Sequence, residues 1–169
     1  VSRSKVMRQI ERDREAGKAL PEEVMKVYEA LTKAGIANDP ANTDIGSTIF
    51  ANMPGDGSAR EQAASCQRVM GASANFAKQY ATKRYRSNCI NWGMTPFLVE
   101  NPEVFELGDY IFVPDIREAV LENKASFSAY AVKPDGTVTE FPVSTGALTE
   151  AERQILADGC LINYYRNNQ

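Results

Sequence analysis

A short β-prone run, Ser47-Thr48-Ile49-Phe50-Ala51, passes directly into the turn-rich loop Asn52-Met53-Pro54-Gly55-Asp56-Gly57 and then into a helical stretch from about Ser58 to Met70. Strand, glycine loop and helix in that order are the grammar of α/β proteins, where a helix carries the chain back to the next strand. A further helix is predicted over Lys78 to Arg86, followed by an irregular Asn88-Cys89-Ile90-Asn91-Trp92-Gly93 and a strand near Phe97 to Val99. Asp109 to Val113 and Ala125 to Val132 read as strands, and the turn Lys133-Pro134-Asp135-Gly136-Thr137 pairs the second of them with Val138 to Val143. A closing helix begins at Thr149 and is stopped by Gly159.

Upstream of the glycine loop the pattern is helical. Ser4 to Arg14 carries Val6, Met7 and Ile10 among charges, which predicts an amphipathic helix with Ser4 as N-cap and Gly17 as its stop. Pro21 opens a second helix, with Val24, Val27, Tyr28 and Leu31 on one face before Gly35. Asn38 to Asp44 has turn and cap residues without an apolar period, and marks a loop. A chain of 169 residues without repeats or a linker suits one domain, residues 1–169, with 1–44 as a helical lead-in. Val1 in place of Met suggests a piece of a longer polypeptide.

Composition removes several classes of function. There is no histidine, which excludes a Ser-His-Asp triad, a His-ligated zinc and imidazole acid–base chemistry. The net charge of -3 offers no basic footprint for nucleic acid. The short run Lys83-Arg84-Tyr85-Arg86 near Trp92 reads as a solvated helix end, and Trp92 as a ring packed beneath the loop. No apolar run approaches the roughly 18 residues a membrane span needs, and no signal-peptide core is present, so neither membrane nor export is expected. Cys66, Cys89 and Cys160 are distant and odd in number, which favours a reducing, cytoplasmic interior; Cys66 and Cys160 read as small core residues.

The chemistry concentrates in Gly55-Asp56-Gly57-Ser58-Ala59-Arg60-Glu61-Gln62-Ala63-Ala64. Glycines let a ligand approach the backbone, and the start of the following helix presents unpaired amides. With Ser58 at the cap and Arg60 two residues on, amides of the Gly57–Ala59 stretch, a hydroxyl and a guanidinium can converge on one carboxylate. The same residues also spell a capping box, Ser58-x-x-Glu61, which needs no ligand. Thr149-Glu150-Ala151-Glu152 repeats that box without glycines and reads as purely structural. Asp56 either steadies the turn or orients Ser58 or Arg60. Neither a dinucleotide fingerprint nor a P-loop is present.

That segment is similar to the G-x-G-S-S-R-E-H-A-A signature of the aconitase family. Ser87-Asn88-Cys89-Ile90-Asn91-Trp92-Gly93-Met94-Thr95-Pro96 resembles the family's N-N-C-x-x-N-G-L-L-P segment. Gly108-Asp109-Tyr110-Ile111 resembles its G-D-x-I strand, and Glu152 through Gly159 to Asn163 its E-x-x-x-x-x-x-G-x-x-N ending. The four matches occur in the family's order and cover about Gly46 to the C-terminus, nearest to little-characterised bacterial hydratases.

The resemblance implies the C-terminal swivel domain of a hydro-lyase: an α/β unit with a small mixed or barrel-like sheet flanked by helices. It implies Ser58 as the base that takes a proton from the carbon beside a carboxylate, and Arg60 as a carboxylate ligand, with Gly57 and Ala59 beside them. It further implies a 4Fe-4S cluster held by cysteines of other domains or of a partner subunit, none in this chain, and a hydroxy di- or tricarboxylic acid as substrate. The isolated domain is then expected to be inactive. Two positions depart from the family pattern: Ala59 stands for its second serine and Gln62 for its histidine. Those departures leave open a non-catalytic carboxylate-binding or regulatory module. The family's further, upstream arginine has only unaligned counterparts in Arg3, Arg8, Arg12 and Arg14.

Overall fold

The computed structural model describes residues 2–169, with side chains from Arg8 onward. Two helices lead, α1 (Ser2–Glu15) and α2 (Glu22–Lys33). Helix α1 starts before Ser4, and the side chains of Arg3, Ser4, Val6 and Met7 lie outside the described ones. Gly17 and Gly35 end the two helices in the left-handed conformation expected of them. Val24, Tyr28 and Leu31 of α2 are buried as the helical period requires. With Ile10 they cover Val132, Tyr110 and Phe112 of the distal sheet, so the N-terminal segment is part of the core.

The chain then builds a parallel sheet in the order β1 (Ser47–Ala51), β2 (Ala72–Ala77), β3 (Thr95–Leu98). Helix α3 (Arg60–Val69) connects the first pair and α4 (Lys83–Asn91) the second. Phe50, Phe76 and Phe97 share one register row, and the last two stack with ring centroids 4.8 Å apart. A second, antiparallel sheet follows: β4 (Tyr110–Phe112), β5 (Phe127–Val132) and β6 (Val138–Val143), with α5 (Ile116–Leu121) between the first two. The two sheets meet at a bridge in which Leu98 N–H donates to Ser144 O at 2.7 Å and Ser144 N–H returns to Leu98 O at 3.1 Å. The α/β class with helix-flanked mixed pairing thus holds, in the form of two three-stranded sheets. No helix among the described residues is long and apolar enough to cross a membrane.

Two expectations fail. α4 starts five residues late, at Lys83, because the Thr82 hydroxyl caps it by accepting from Tyr85 N–H at 3.2 Å, and β2 occupies the stretch between the two expected helices, to which the sequence reading assigns no element. The irregular Asn88–Asn91 stretch is the last turn of α4. Downstream, α6 (Glu150–Ala157) stops at Gly159 as expected, but α7 (Leu161–Asn167) follows, and α5 has no counterpart in the sequence reading.

The C-terminal helices are tied to α4 through backbone. A Cβ on Gly93 would fall 1.7 Å from the carbonyl oxygen of Gly159, and Asn163 Nδ2 donates to Asp158 O at 3.0 Å. Both glycines also have positive φ, 72° and 92°. Gly93→Ala is therefore expected to cost about 3 kcal/mol or more in urea unfolding. Gly136→Ala, whose turn φ of 89° opens on free space, should cost only about 1–2 kcal/mol.

Candidate functional site

The loop leaving the C-terminal end of β1 forms one wall of an open cleft of about 410 Å³. In open parallel sheets that end of a strand is where ligands bind. Gly57, Ser58, Ala59 and Arg60 all line the cleft, together with Ala63, Gln67, Tyr85 and Ile49. The structure thus brings together the residues that the signature singles out.

Local geometry differs from the capping box. Helix α3 takes Ala59, not Ser58, as its N-cap, with φ -85° and ψ 48° and no side-chain cap bond. Ser58 is exposed and its hydroxyl has no hydrogen-bond partner among the described residues. Glu61, the other half of the box, accepts from the Trp92 indole N–H at 3.0 Å. The box at Thr149 does form, with Glu152 N–H donating to Thr149 Oγ1 at 3.2 Å and Thr149 N–H to Glu152 Oε2 at 2.9 Å. The same four-residue pattern therefore closes a helix end in one place and leaves it open in the other.

Arg60 is half-buried and turns its Nε toward Gly55 O at 3.3 Å. The same carbonyl accepts from Thr82 Oγ1 at 3.2 Å, which pins the loop to the start of α4. Gly55 has φ 96° and lies against Tyr85: a Cβ there would sit 2.5 Å from that of Tyr85. Only glycine fits this approach.

Beneath the loop lies a buried polar cluster that the sequence reading missed. Asn75 is fully buried, and its Nδ2 donates to Gln67 Oε1 at 3.0 Å and to Tyr85 OH at 3.1 Å, with Cys89 Sγ at 3.6 Å. Tyr85 OH in turn donates to Gln67 Oε1 at 3.1 Å. Burial pushes the Tyr85 hydroxyl up to about 12 and the Cys89 thiol up to about 11, so both keep their protons at neutral pH. No sequence period marks this group; only the i, i+7 spacing of Arg60 and Gln67 along α3 hinted that they share a face.

Other assignments resolve differently. Cys66 is exposed and not a core residue, while Cys160 is half-buried at the start of α7. Asp56 is exposed and pairs with neither Ser58 nor Arg60. Lys83 and Arg84 of the basic run are exposed, as a solvated helix end requires, whereas Tyr85 is buried and Arg86 donates to Thr145 O at 2.8 Å and Ala147 O at 2.9 Å. Trp92 is half-buried against the Ala64, Cys89 and Met94 cluster, in keeping with a packing role. Of the upstream arginines, Arg8 bonds Val69 O at the far end of α3, and Arg14 bonds Thr43 O and Glu11. The cysteines do not fit a cluster: one is exposed on α3, one buried in α4, one near α7, and no group of three metal-capable side chains exists among the described residues.

No family profile matches the chain. It is, however, 33% identical over 139 residues to the methanogen homoaconitase small subunit of Methanocaldococcus jannaschii, a match covering 80% of this chain and 72% of that relative. At that identity and coverage the chain belongs to the aconitase-type hydratase family, in its small-subunit form.

The pH behaviour of the buried cluster follows from its proton affinities. The folded state holds the Cys89 and Tyr85 protons above the ordinary values of 9.0 and 10.0, where the unfolded chain releases them. Stability is therefore complete below about pH 9 and falls as pH rises through 11 and 12. Urea midpoints across that window should show the decline, and Cys89→Ala should flatten its lower part.

Proposed function

We propose that this chain is the swivel-type small subunit of a hydro-lyase acting on hydroxy di- or tricarboxylic acids. The observation that carries the reading is an unspent Ser58 hydroxyl and the Arg60 guanidinium lining one cleft at a helix start, in a relative of a homoaconitase small subunit. Arg60 binds a substrate carboxylate, assisted by the amides of Gly57 and Ala59. Ser58, as alkoxide, takes the proton from the carbon beside that carboxylate; the electron pair forms the double bond as hydroxide leaves the adjacent carbon. The guanidinium and the free amides of α3 both favour the anionic form of a hydroxyl that is otherwise a very weak base.

The partner in this reading is a large subunit that carries a 4Fe-4S cluster. The donor set of this chain fits no such group, so its own part is confined to binding and proton abstraction. Three unpaired thiols support a reducing, cytoplasmic setting. Within the family, the same four motifs support a place near the bacterial hydratases. Ala59, which lacks the hydroxyl of the family's second serine, favours the competing reading, a carboxylate-binding module without catalysis.

The deciding experiment reconstitutes the chain with its cluster-bearing partner and assays reversible dehydration of hydroxy di- and tricarboxylic acids. Ser58→Ala should lower kcat by about 10³-fold, and Arg60→Lys, which loses the bidentate fork, should raise KM about tenfold. Equal rates for Ser58→Ala and the wild type remove Ser58 as the base, whereas binding without turnover in every form supports the module.

A further inference from the structure

Arg60, Ala63 and Gln67 lie on the cleft face of α3, two turns apart from first to last, which separates the outer pair by about 10 Å along the axis. Gln67 differs from its neighbours in how its side chain is held. Its Oε1 accepts two bonds, from Tyr85 OH at 3.1 Å and from Asn75 Nδ2 at 3.0 Å. Asn75 Nδ2 also donates to Tyr85 OH at 3.1 Å, so the three side chains form a closed triangle. Within it Asn75 Nδ2 donates to both partners while its Oδ1 is buried without one, the tyrosine proton points at Gln67, and the oxygen of Gln67 is the acceptor common to both. These two accepted bonds hold the Gln67 amide with its oxygen inward and Nε2 on the other side. That nitrogen has no hydrogen-bond partner among the described residues, and Gln67 lines the cleft.

A half-buried amide whose donors are unspent and whose oxygen is held by two bonds is a preorganised hydrogen-bond donor. We propose that Gln67 is a second substrate-binding residue, presenting its Nε2 hydrogens to an acceptor oxygen of the bound acid at the opposite end of the cleft from Arg60. The inference rests on the reading of the cleft as an acid-binding site and narrows its ligand. The acid must carry a second acceptor group, such as another carboxylate, some carbon atoms removed from the group held by Arg60. Tyr85 and Asn75 act as positioning residues for that donor.

The test separates donation from structure by exchanging one atom. Gln67→Glu keeps an oxygen for Tyr85 and Asn75 but replaces the donor by a carboxylate oxygen; Gln67→Ala removes both. In the reconstituted enzyme with malate as substrate, Gln67→Glu is expected to raise KM at least tenfold while the melting temperature stays near wild type. A KM within twofold of wild type for that variant overturns the proposal. Should Gln67→Glu fail to fold, the side-chain amide NMR signal of Gln67 in the wild-type chain decides, read together with the Arg60 Nε signal during a malate titration. Both signals moving supports the proposal, and Arg60 moving alone overturns it. If neither moves, the acid-binding reading of the cleft falls as well, so the two failures are distinguishable.

Discussion

The contact between Gly55 and Tyr85 organises the rest of this site. One flat approach of backbone onto ring seats the loop that carries Ser58, and the same tyrosine closes a hydrogen-bonded triangle with Gln67 of α3 and Asn75 of β2. Loop, strand and both crossover helices therefore converge on a single side chain. Each neutral hydrogen bond contributes only about 1 kcal/mol net, but a buried partner left alone would cost more than that. The arrangement is consequently cooperative, and it holds the cleft open without any side chain of the loop filling it.

The resemblance to the family rests on motifs that do two different jobs. The Gly55–Ala64 segment shapes the cleft, whereas the Ser87–Pro96 and Glu152–Asn163 segments meet each other elsewhere. Gly93 and Gly159 touch backbone to backbone, Cys89 is fully buried, and Glu152 caps its own helix. These contacts are packing, and Trp92 of the same segment also reaches Glu61 at the start of α3. The thiol of Cys89, buried beside Asn75 Nδ2 and the Tyr85 hydroxyl, stays protonated and behaves as a small core residue.

Legibility followed the locality of each signal. β1, the Lys133–Thr137 turn, the capped α6 and the apolar face of α2 were readable because their determinants lie within a few residues. β2 was not: Ala72-Ser73-Ala74-Asn75-Phe76-Ala77 lacks branched residues and period-2 alternation. It is the central strand of a parallel sheet, and its Ala72 packs against Ala64 of α3 and Tyr85 and Cys89 of α4, where a small residue is needed whatever its strand propensity. α4 begins later than its local pattern suggests because Thr82 serves as its cap, and Lys78 to Ala81 shows nothing against a helix locally. In the site, the group Gly57, Ser58, Ala59 and Arg60 was legible as adjacent positions. Gln67 and Asn75 were not, since their meeting depends on how α3 lies against β2.

The exchange of Glu61's partner shows why sequence pattern and structure part at Ser58. A glutamate in the first turn of a helix ordinarily satisfies the amides there and cancels the positive field at that end. Such a helix start binds external anions poorly, because its own carboxylate competes for the donors. Here the indole N–H of Trp92 holds Glu61 at 3.0 Å, on the side where α4 ends. The capping box stays open, Ala59 takes the cap position with nothing to donate or accept from its side chain, and the amides of the loop and first turn remain available. Trp92 thus links the packing motif around Gly93 to the electrostatics of the cleft: the ring that fills the groove between α3 and α4 also keeps a negative charge away from the place where a negative ligand would sit.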